Sequence, residues 1–309
     1  MNDPEVSVVI ATYNMGQYVR QAILSVLAQP DQNLEVVVVD DGSTDNTREV
    51  LREFAEDSRV RILLQENQGQ PKAKNAGWRI ARGRFIGFCD ADDYWLPNKL
   101  ALQLPLLKAN PRVGVVYSTV MILETDGTLR PSRKRSHDCG NFLERMFVYN
   151  LVPFGTAAIR RECLEQVGGF DESIPMGIDW DLWLRIALDW EFDLVNEPTY
   201  VYRIWPGQMS HNLKKRYECA LIIMQRFLEA HPDRLPNKVI STAYADTYTN
   251  FAAFYLNQSS PAIKAGLSLL ARALACRPGF WPAWRLLLGL PYRGLRNFIS
   301  NLSGPARSC

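Results

Sequence analysis

Two runs of mostly β-branched residues lie close to the start of the chain, Val6–Ala11 (VSVVIA) and Leu34–Val39 (LEVVVV). Neither alternates with polar residues as a half-exposed strand would. Unbroken runs of this kind belong to strands covered on both faces, which requires a parallel sheet with helices on each side. Between them Val19, Ala22, Ile23, Val26 and Leu27 recur at helical spacing, and Pro30 closes the segment. Past Asp40-Asp41-Gly42, Ser43 or Thr44 caps a helix to about Glu56, and Val60–Leu64 is a third strand. Pro71 opens a helix to about Arg82, and Phe85–Cys89 is a fourth strand. This alternation predicts an open, mostly parallel α/β sheet flanked by helices.

After Asp93 the pattern changes. Val113–Ser118 and Thr119–Glu124 read as strands with a turn at Asp126-Gly127, and residues 130–138 form a basic loop. Gly168-Gly169 ends a short helix, Asp179–Asp189 is helical, and Phe192–Val195 and Thr199–Arg203 are extended. From Asn212 onward the pattern is helical throughout: Leu213–Glu229, Lys238–Leu256, Ile263–Cys276 and Trp281–Ile299. A weak tetratricopeptide-like cadence over Thr247–Trp284 reads as a helical hairpin, since one copy is no array. Two domains are expected, an α/β body at 1–211 and an all-helical extension at 212–309.

Composition narrows the classes. With 309 residues, 47% hydrophobic and 22% charged, the chain can bury a sizeable core and is neither disordered nor fibrous. The apolar stretch near Phe280–Leu290 is broken by Pro282 and Arg285, short of the roughly 20 residues a bilayer span needs. Val6–Ala11 is too short for the core of a secretory leader. Six cysteines (89, 139, 163, 219, 276, 309) form no Cys-x-x-Cys pair, which disfavours a zinc cluster or disulfide framework and fits a cytoplasmic protein. The net charge of +2 hides an asymmetry: residues 1–211 hold 22 Lys/Arg against 29 Asp/Glu, a net −7, and residues 212–309 hold 13 against 4, a net +9.

Ligands of an open parallel sheet bind beyond the carboxyl ends of its strands. Thr12-Tyr13-Asn14 stands there after the first strand, Asp40-Asp41-Gly42-Ser43 after the second and Asp90-Ala91-Asp92-Asp93 after the fourth. Carboxylates gathered in this way repel one another and ask for a cation. Alternate residues of an extended segment point the same way, so Asp90 and Asp92 address one ligand; the competing reading is a solvated acidic turn before the helix at Pro97. Mg²⁺ or Mn²⁺ suits such a site, taking few protein carboxylates and completing its shell with phosphate oxygens and water. Asp40 suits the imide N–H of a nucleobase and Tyr13 its face, against plainer roles as a helix cap and a buried ring. Lys72 and Lys74 open a helix whose N-terminus favours phosphate. Neither Gly-x-Gly-x-x-Gly nor a Gly-x-x-x-x-Gly-Lys-Ser/Thr loop follows the first strand, which disfavours dehydrogenases and ATPases.

From Val6 to about Asn212 the chain resembles a family 2 glycosyltransferase of the GT-A type. The resemblance rests on Val6–Asn14, Val39–Asp45, Asn67-Gln68-Gly69, Ala73–Gly77, Asp90-Ala91-Asp92-Asp93, Val167–Glu172 and Asp179–Arg185. It implies a nucleotide-diphosphate sugar donor, most commonly UDP-linked, and transfer with inversion. By position it implies a donor site of Ala11, Thr12, Tyr13, Asp40, Asn67, Gly69, Lys74, Asp90, Ala91 and Asp92, with Asp179 as general base. The metal would fall to Asp92 and Asp93. The family usually has Glu-Asp where Ile178-Asp179 stands, and Ala-Arg-Asn where Ala73-Lys74-Asn75 stands; the latter keeps a cation but loses arginine's fork. Trp180 is a candidate for stacking on the acceptor. Arg203 and His211 flank Ile204–Ser210, which resembles the family's closing loop, and His211 is a third candidate metal ligand.

The tail mixes Trp281, Trp284, Leu286, Leu287, Leu288, Leu290, Tyr292 and Phe298 with Arg285, Arg293 and Arg296, and no acid follows Asp246. Such a surface suits the inner face of a membrane and a lipid-linked or glycan acceptor, or else a helical cap or oligomer interface. Nucleic acid is not expected, since no binding motif accompanies the charge. The rivals are a nucleotidyltransferase, which would want a Gly-rich phosphate loop, and a non-catalytic GT-A-like scaffold, against which the intact acids argue.

Overall fold

A computed structural model describes residues 3–30, 33–132, 142–258 and 260–289. The basic loop beyond Ser132 and the expected helix beyond Gly289 lie outside these residues. The chain divides into two compact units, Met1–Met146 with Asn150–His211, and Phe147–Tyr149 with Asn212–Cys309.

In chain order the first unit contains β1 (Val6–Thr12), α1 (Gly16–Leu27), β2 (Leu34–Asp41), α2 (Thr47–Arg52), β3 (Val60–Gln65), α3 (Gln70–Ile80), β4 (Phe85–Phe88) and β5 (Tyr94–Trp95). It continues with α4 (Lys99–Ala109), β6 (Val113–Leu123), β7 (Leu129–Pro131), α5 (Leu143–Val148, whose last two residues belong to the second unit), β8 (Ala158–Arg160), α6 (Arg161–Val167), α7 (Ile178–Ile186) and β9 (Glu191–Arg203). A short helical turn at Phe154–Thr156 precedes β8. The strand order is β3-β2-β1-β4-β8-β6-β9-β5, with β7 beside β6.

The unbroken apolar runs are explained by the two covered faces. Val8 and Ile10 of β1 and Val36 and Val38 of β2 pack with Val19, Ile23 and Val26 of α1. On the opposite face Gly77 of α3 rides so close to the sheet that a β-carbon there would lie 2.4 Å from Val9 and 3.1 Å from Val39. Successive residues serve opposite faces, so none is left for solvent.

The sheet is parallel over β3-β2-β1-β4, as expected, and mixed beyond. β8 runs antiparallel to both β4 and β6, β6 and β9 are parallel, and β5 is antiparallel to β9. β8 is a buried strand of 3 residues, too short to leave a periodic signal. The paired strands expected at Val113–Glu124 are one strand, β6, and the extended pieces at Phe192–Arg203 are likewise one, β9. What read as breaks are register shifts between Ser118 and Val120, opposite Val195–Tyr200.

The second unit carries α8 (Leu213–Ala230), α9 (Asn237–Leu256), α10 (Ile263–Cys276) and α11 (Trp281–Leu288). Its core joins Ala245, Ala252 and Leu256 to Leu270, Ala273, Phe280, Ala283 and Leu286. Gly266 lets α10 approach α9, since a β-carbon there would lie 2.5 Å from Leu256 Cγ. No described helix is long and apolar enough to cross a membrane.

Candidate active site

The carboxyl ends of β1, β2 and β4 meet at one rim, because β1 pairs in register with both neighbours. Thr12 lies directly opposite Asp40. The loops above them are stitched together. Asn14, in left-handed backbone with φ 54°, accepts from the backbone N–H of Thr44 (2.8 Å) and Asp45 (3.3 Å), while its own N–H donates to Ser43 Oγ at 2.9 Å. The N–H groups of Met15 and Gly16 donate to Thr47 Oγ1 (3.0 Å) and Asp45 Oδ2 (3.1 Å). The expected cap at Ser43 or Thr44 is therefore replaced by a shared network, and Asn46 is the residue before α2.

Asp40 is fully buried. Its Oδ1 accepts from Ser43 N at 2.9 Å, and its Oδ2 pairs with the half-exposed guanidinium of Arg48 at 2.9 Å. Arg48 was not foreseen, although it stands in the first turn of α2. With Gly42, Leu64, Gln65, Glu66 and Asn67 it lines a shallow groove. Thr12 Oγ1 is buried without a hydrogen-bond partner, and the adjacent Tyr13 ring is exposed. Asp41 is a second unforeseen organiser: its oxygens take Gln65 Nε2 (2.7 Å) and the N–H groups of Gln68 (2.9 Å) and Gly69 (2.8 Å). It thereby shapes the Asn67–Gly69 turn that starts α3.

Lys74 of α3 is buried, with its ammonium 2.7 Å from Asp90 Oδ1 and 3.8 Å from the centre of the Phe154 ring. Asn75, next on α3, grips the segment after α6. It donates to Phe170 O and Glu172 Oε1, both at 2.9 Å, and accepts from Phe170 N at 3.0 Å. Gly169 has φ 78°, and a β-carbon on it would lie 2.6 Å from Asn75 Oδ1. The Ala73–Gly77 and Val167–Glu172 motifs are thus two halves of one clamp.

Asp90, the small buried Ala91, Asp92 and Asp93 follow β4, and their carboxylates differ. Asp93 is buried, with Oδ2 on Tyr200 OH (2.6 Å) and Oδ1 on Arg203 N (2.8 Å). Burial, then the charges of Asp92 and Asp90, push its pKa well above the usual carboxylate range. It pins the rim to β9 and is not poised as a metal ligand. Asp92 is half-buried. Its Oδ2 accepts from Trp205 Nε1 (2.8 Å) and Gln208 Nε2 (3.4 Å), and burial followed by the Asp90 charge raises its pKa. Oδ1 of Asp92 and Oδ2 of Asp90 accept no side-chain or backbone donor from another described residue. Arg203 braces the turn, donating from Nε to Asp92 O (2.8 Å) and from Nη2 to Gln21 Oε1 (2.7 Å).

Asp179 stands in the first turn of α7, after Gly177 in left-handed backbone. Its Oδ2 accepts from Asn150 Nδ2 at 2.7 Å. Burial raises its pKa, opposed by the Asn150 hydrogen bond, the Trp180 backbone N–H and the positive charge of Lys74. Lys74 thus bonds Asp90 directly, and its positive charge is one of the weaker influences that hold the Asp179 pKa down. Trp180 departs from its expected role, and His211 stands apart from any preformed cluster among the described residues. Trp180 is buried and spends its indole N–H on Met146 O at 2.6 Å, so it packs and offers no face to a sugar. His211 is exposed, and among the described residues no three His, Cys, Asp or Glu side chains gather to hold a metal, so Asp92, Asp93 and His211 form no ready-made shell.

The family model described as "Glycosyl transferase family 2" matches residues 7–168. An uncharacterized glycosyltransferase of Nostoc sp. is 36% identical over 186 residues, covering 58% of this chain and only 56% of the relative's own length. The structure of S. aureus TarS in complex with UDP-GlcNAc superposes with a TM-score of 0.67 over 88% of this chain and 81% of that one, at 18% identity. The mannosyltransferase PcManGT from Pyrobaculum calidifontis, in complex with GDP-Man and Mn²⁺, gives a TM-score of 0.60 at 24% identity over 98% and 88% of the two chains.

Proposed function

The chain belongs to glycosyl transferase family 2, and from that premise we propose that it moves a sugar from a nucleotide-diphosphate donor, UDP-linked, to a hydroxyl of a glycan or lipid-linked acceptor, with inversion at the anomeric carbon. The observation that supports this reading best is the buried Lys74 ammonium, bonded to Asp90 at 2.7 Å at the acid end of the proposed donor site. The nucleoside would lie against Thr12 and Tyr13 near Asp40 and Arg48, where a buried hydroxyl stands without a partner. That the two superposing structures hold UDP-GlcNAc and GDP-Man supports a nucleotide-sugar donor.

Asp179 takes the proton of the acceptor hydroxyl as that oxygen attacks the sugar C1 and the diphosphate leaves with the C1–O bonding pair. Its raised pKa strengthens it as a base at neutral pH. Lys74 faces the diphosphate and offsets the charge gained there. A divalent cation, Mn²⁺ or Mg²⁺, fits the donor set: two neighbouring carboxylates each keep an oxygen free, and burial and the nearby Asp90 charge disfavour ionised Asp92 unless it is compensated. Asp92, with Asp90 beside it, would hold the ion, which supplies Lewis-acid stabilisation of the leaving diphosphate. Asp93 serves as a brace, and residues 1–211 form the catalytic domain. The 212–309 extension docks on the inner face of a membrane, where a lipid-linked acceptor would be found.

A nucleotide-sugar panel with Mn²⁺, read by thermal shift and by nucleoside diphosphate release, tests the reading. Stabilisation and turnover with a UDP-sugar are expected. No shift and no release with any nucleotide sugar would overturn it in favour of a scaffold.

A further inference from the structure

The turn that follows β9 reaches the acid rim chiefly through the Trp205 indole, with a longer contact from Gln208 Nε2 to the same Asp92 oxygen at 3.4 Å. Gly207 has φ 95°, and a β-carbon on it would lie 3.2 Å from Trp205 Cζ3, so the chain folds back beneath the indole where only glycine is unstrained. Gln208 closes the turn: its Oε1 accepts from Trp205 N at 3.3 Å, and its Nε2 donates to Arg203 O at 2.6 Å. The indole leans on the Tyr18 ring, with centroids 5.8 Å apart, and the Arg203 guanidinium lies 4.8 Å from the same ring. Held in this way, Trp205 Nε1 donates to Asp92 Oδ2 at 2.8 Å.

We propose that Trp205 is a positioning residue for the metal-holding carboxylate: its indole N–H fixes the rotation of Asp92 so that Oδ1 alone faces the cation and the diphosphate. This rests on the assignment of the cation to Asp92. An indole N–H is a donor only. It neither ligates nor titrates, so what it gives Asp92 is direction together with a hydrogen bond that favours the ionised carboxylate. Asp92 is held by its backbone carbonyl on Arg203 and by its Oδ2 on Trp205 at 2.8 Å, with Gln208 Nε2 farther off at 3.4 Å, which leaves the side chain little freedom. Without the indole, repulsion from Asp90 would turn Asp92 away, and the site would lose its preorganised ligand before any ion arrived. Outer-sphere partners of ligating groups govern metal affinity by about 10–100-fold.

The test is Mn²⁺ titration of the full chain with saturating UDP, read as free Mn²⁺ by electron paramagnetic resonance. UDP binding without metal, in EDTA, is measured by calorimetry alongside. Wild type is expected to bind Mn²⁺, Asp92→Asn to lose it, and Trp205→Phe to bind about 10–100-fold more weakly with metal-free UDP binding and thermal midpoint retained. Gly207→Ala, which strains the turn but keeps the indole, is expected to weaken Mn²⁺ in the same direction and serves if the Phe variant folds poorly. Mn²⁺ affinity unchanged in both turn variants, with Asp92→Asn still deficient, would overturn the role of Trp205 and leave Asp92 standing. Absence of Mn²⁺ binding by wild type would overturn the metal assignment itself, and Trp205 with it.

Discussion

Asp179 shows how much a single carboxylate's surroundings decide. Its ordinary pKa would leave it a weak base, and burial lifts it while Asn150 and Lys74 restrain the rise. Transfer needs the ionised form, so the rate falls as pH drops through that raised value, and the acid limb lies above the usual aspartate range. Asn150→Ala removes a hydrogen bond that favours the charge, so the limb moves to higher pH. A pH profile of kcat/KM checks both, and an unmoved limb would detach Asn150 from the base. Asp179→Asn should keep donor binding and lose about 10²–10⁴-fold in transfer, measured as product formation beside UDP calorimetry. Asp92→Asn should abolish the Mn²⁺-dependent part of UDP binding while keeping the metal-free part, which the same calorimetry resolves. The rim acids were legible in the sequence, since Asp40 and Asp90–Asp93 follow buried strands, whereas Asp179, in the first turn of a helix, was marked only by the family resemblance. Their division of labour was not. Asp93 and Asp92 are adjacent in sequence, and only the partners supplied by β9 and the turn beyond it, more than a hundred residues away, turn one inward and the other outward. Arg48 and Asp41 escaped for a similar reason: what they do depends on loops from other strands.

At the scale of elements, α3 links the sheet to the site. Gly77 lets it lie against Val9 and Val39, and this close approach sets where Lys74 and Asn75 stand. Gly77→Ala forces a β-carbon into Val9 and should cost about 1–3 kcal/mol in chemical denaturation. Asn75→Ala strips partners from buried groups at Phe170 and should cost a similar amount. It should also lower donor affinity, because the clamp that seats α3 against residues 169–172 is released. Denaturation midpoints within experimental error of wild type would sink both. The parallel half of this sheet was legible because doubly covered strands leave apolar runs. The mixed half was not. β8 is 3 residues long, and β6 and β9 are interrupted in pattern by their register shifts while continuous in space. Lys99 was equally hidden: a lysine reads as solvent-facing, yet it is fully buried, donating to Gln103 and to the Thr156 carbonyl of the turn that presents Phe154 beneath Lys74.

On the scale of the whole molecule, the charge asymmetry asks for an explanation that catalysis does not supply. Residues 212–309 carry a net +9, and no acid follows Asp246. In α11, Trp281, Trp284 and Leu288 fall at i, i+3 and i+7 on one exposed stripe, while Ala283 and Leu286 turn into the core of that unit. Arg285 belongs to the same helix, and Trp284 has its indole N–H satisfied by Pro278 O at 2.7 Å. Exposed tryptophan beside arginine, without neighbouring carboxylates, suits the interface of an anionic bilayer, where each nearby basic residue adds about 1 kcal/mol. The full chain is therefore expected to float with vesicles containing phosphatidylglycerol and not with phosphatidylcholine alone, and to be released as salt rises. Trp281→Ser combined with Leu288→Ser removes apolar contact without touching the rim acids, so it should abolish flotation and leave turnover of a soluble acceptor unchanged. Flotation that survives the double substitution would move the contact elsewhere in the chain. If wild type ignores anionic vesicles at low salt, the membrane role is lost, and the exposed stripe then calls for a protein partner, which sedimentation of the wild type against the double variant would reveal as a change in mass.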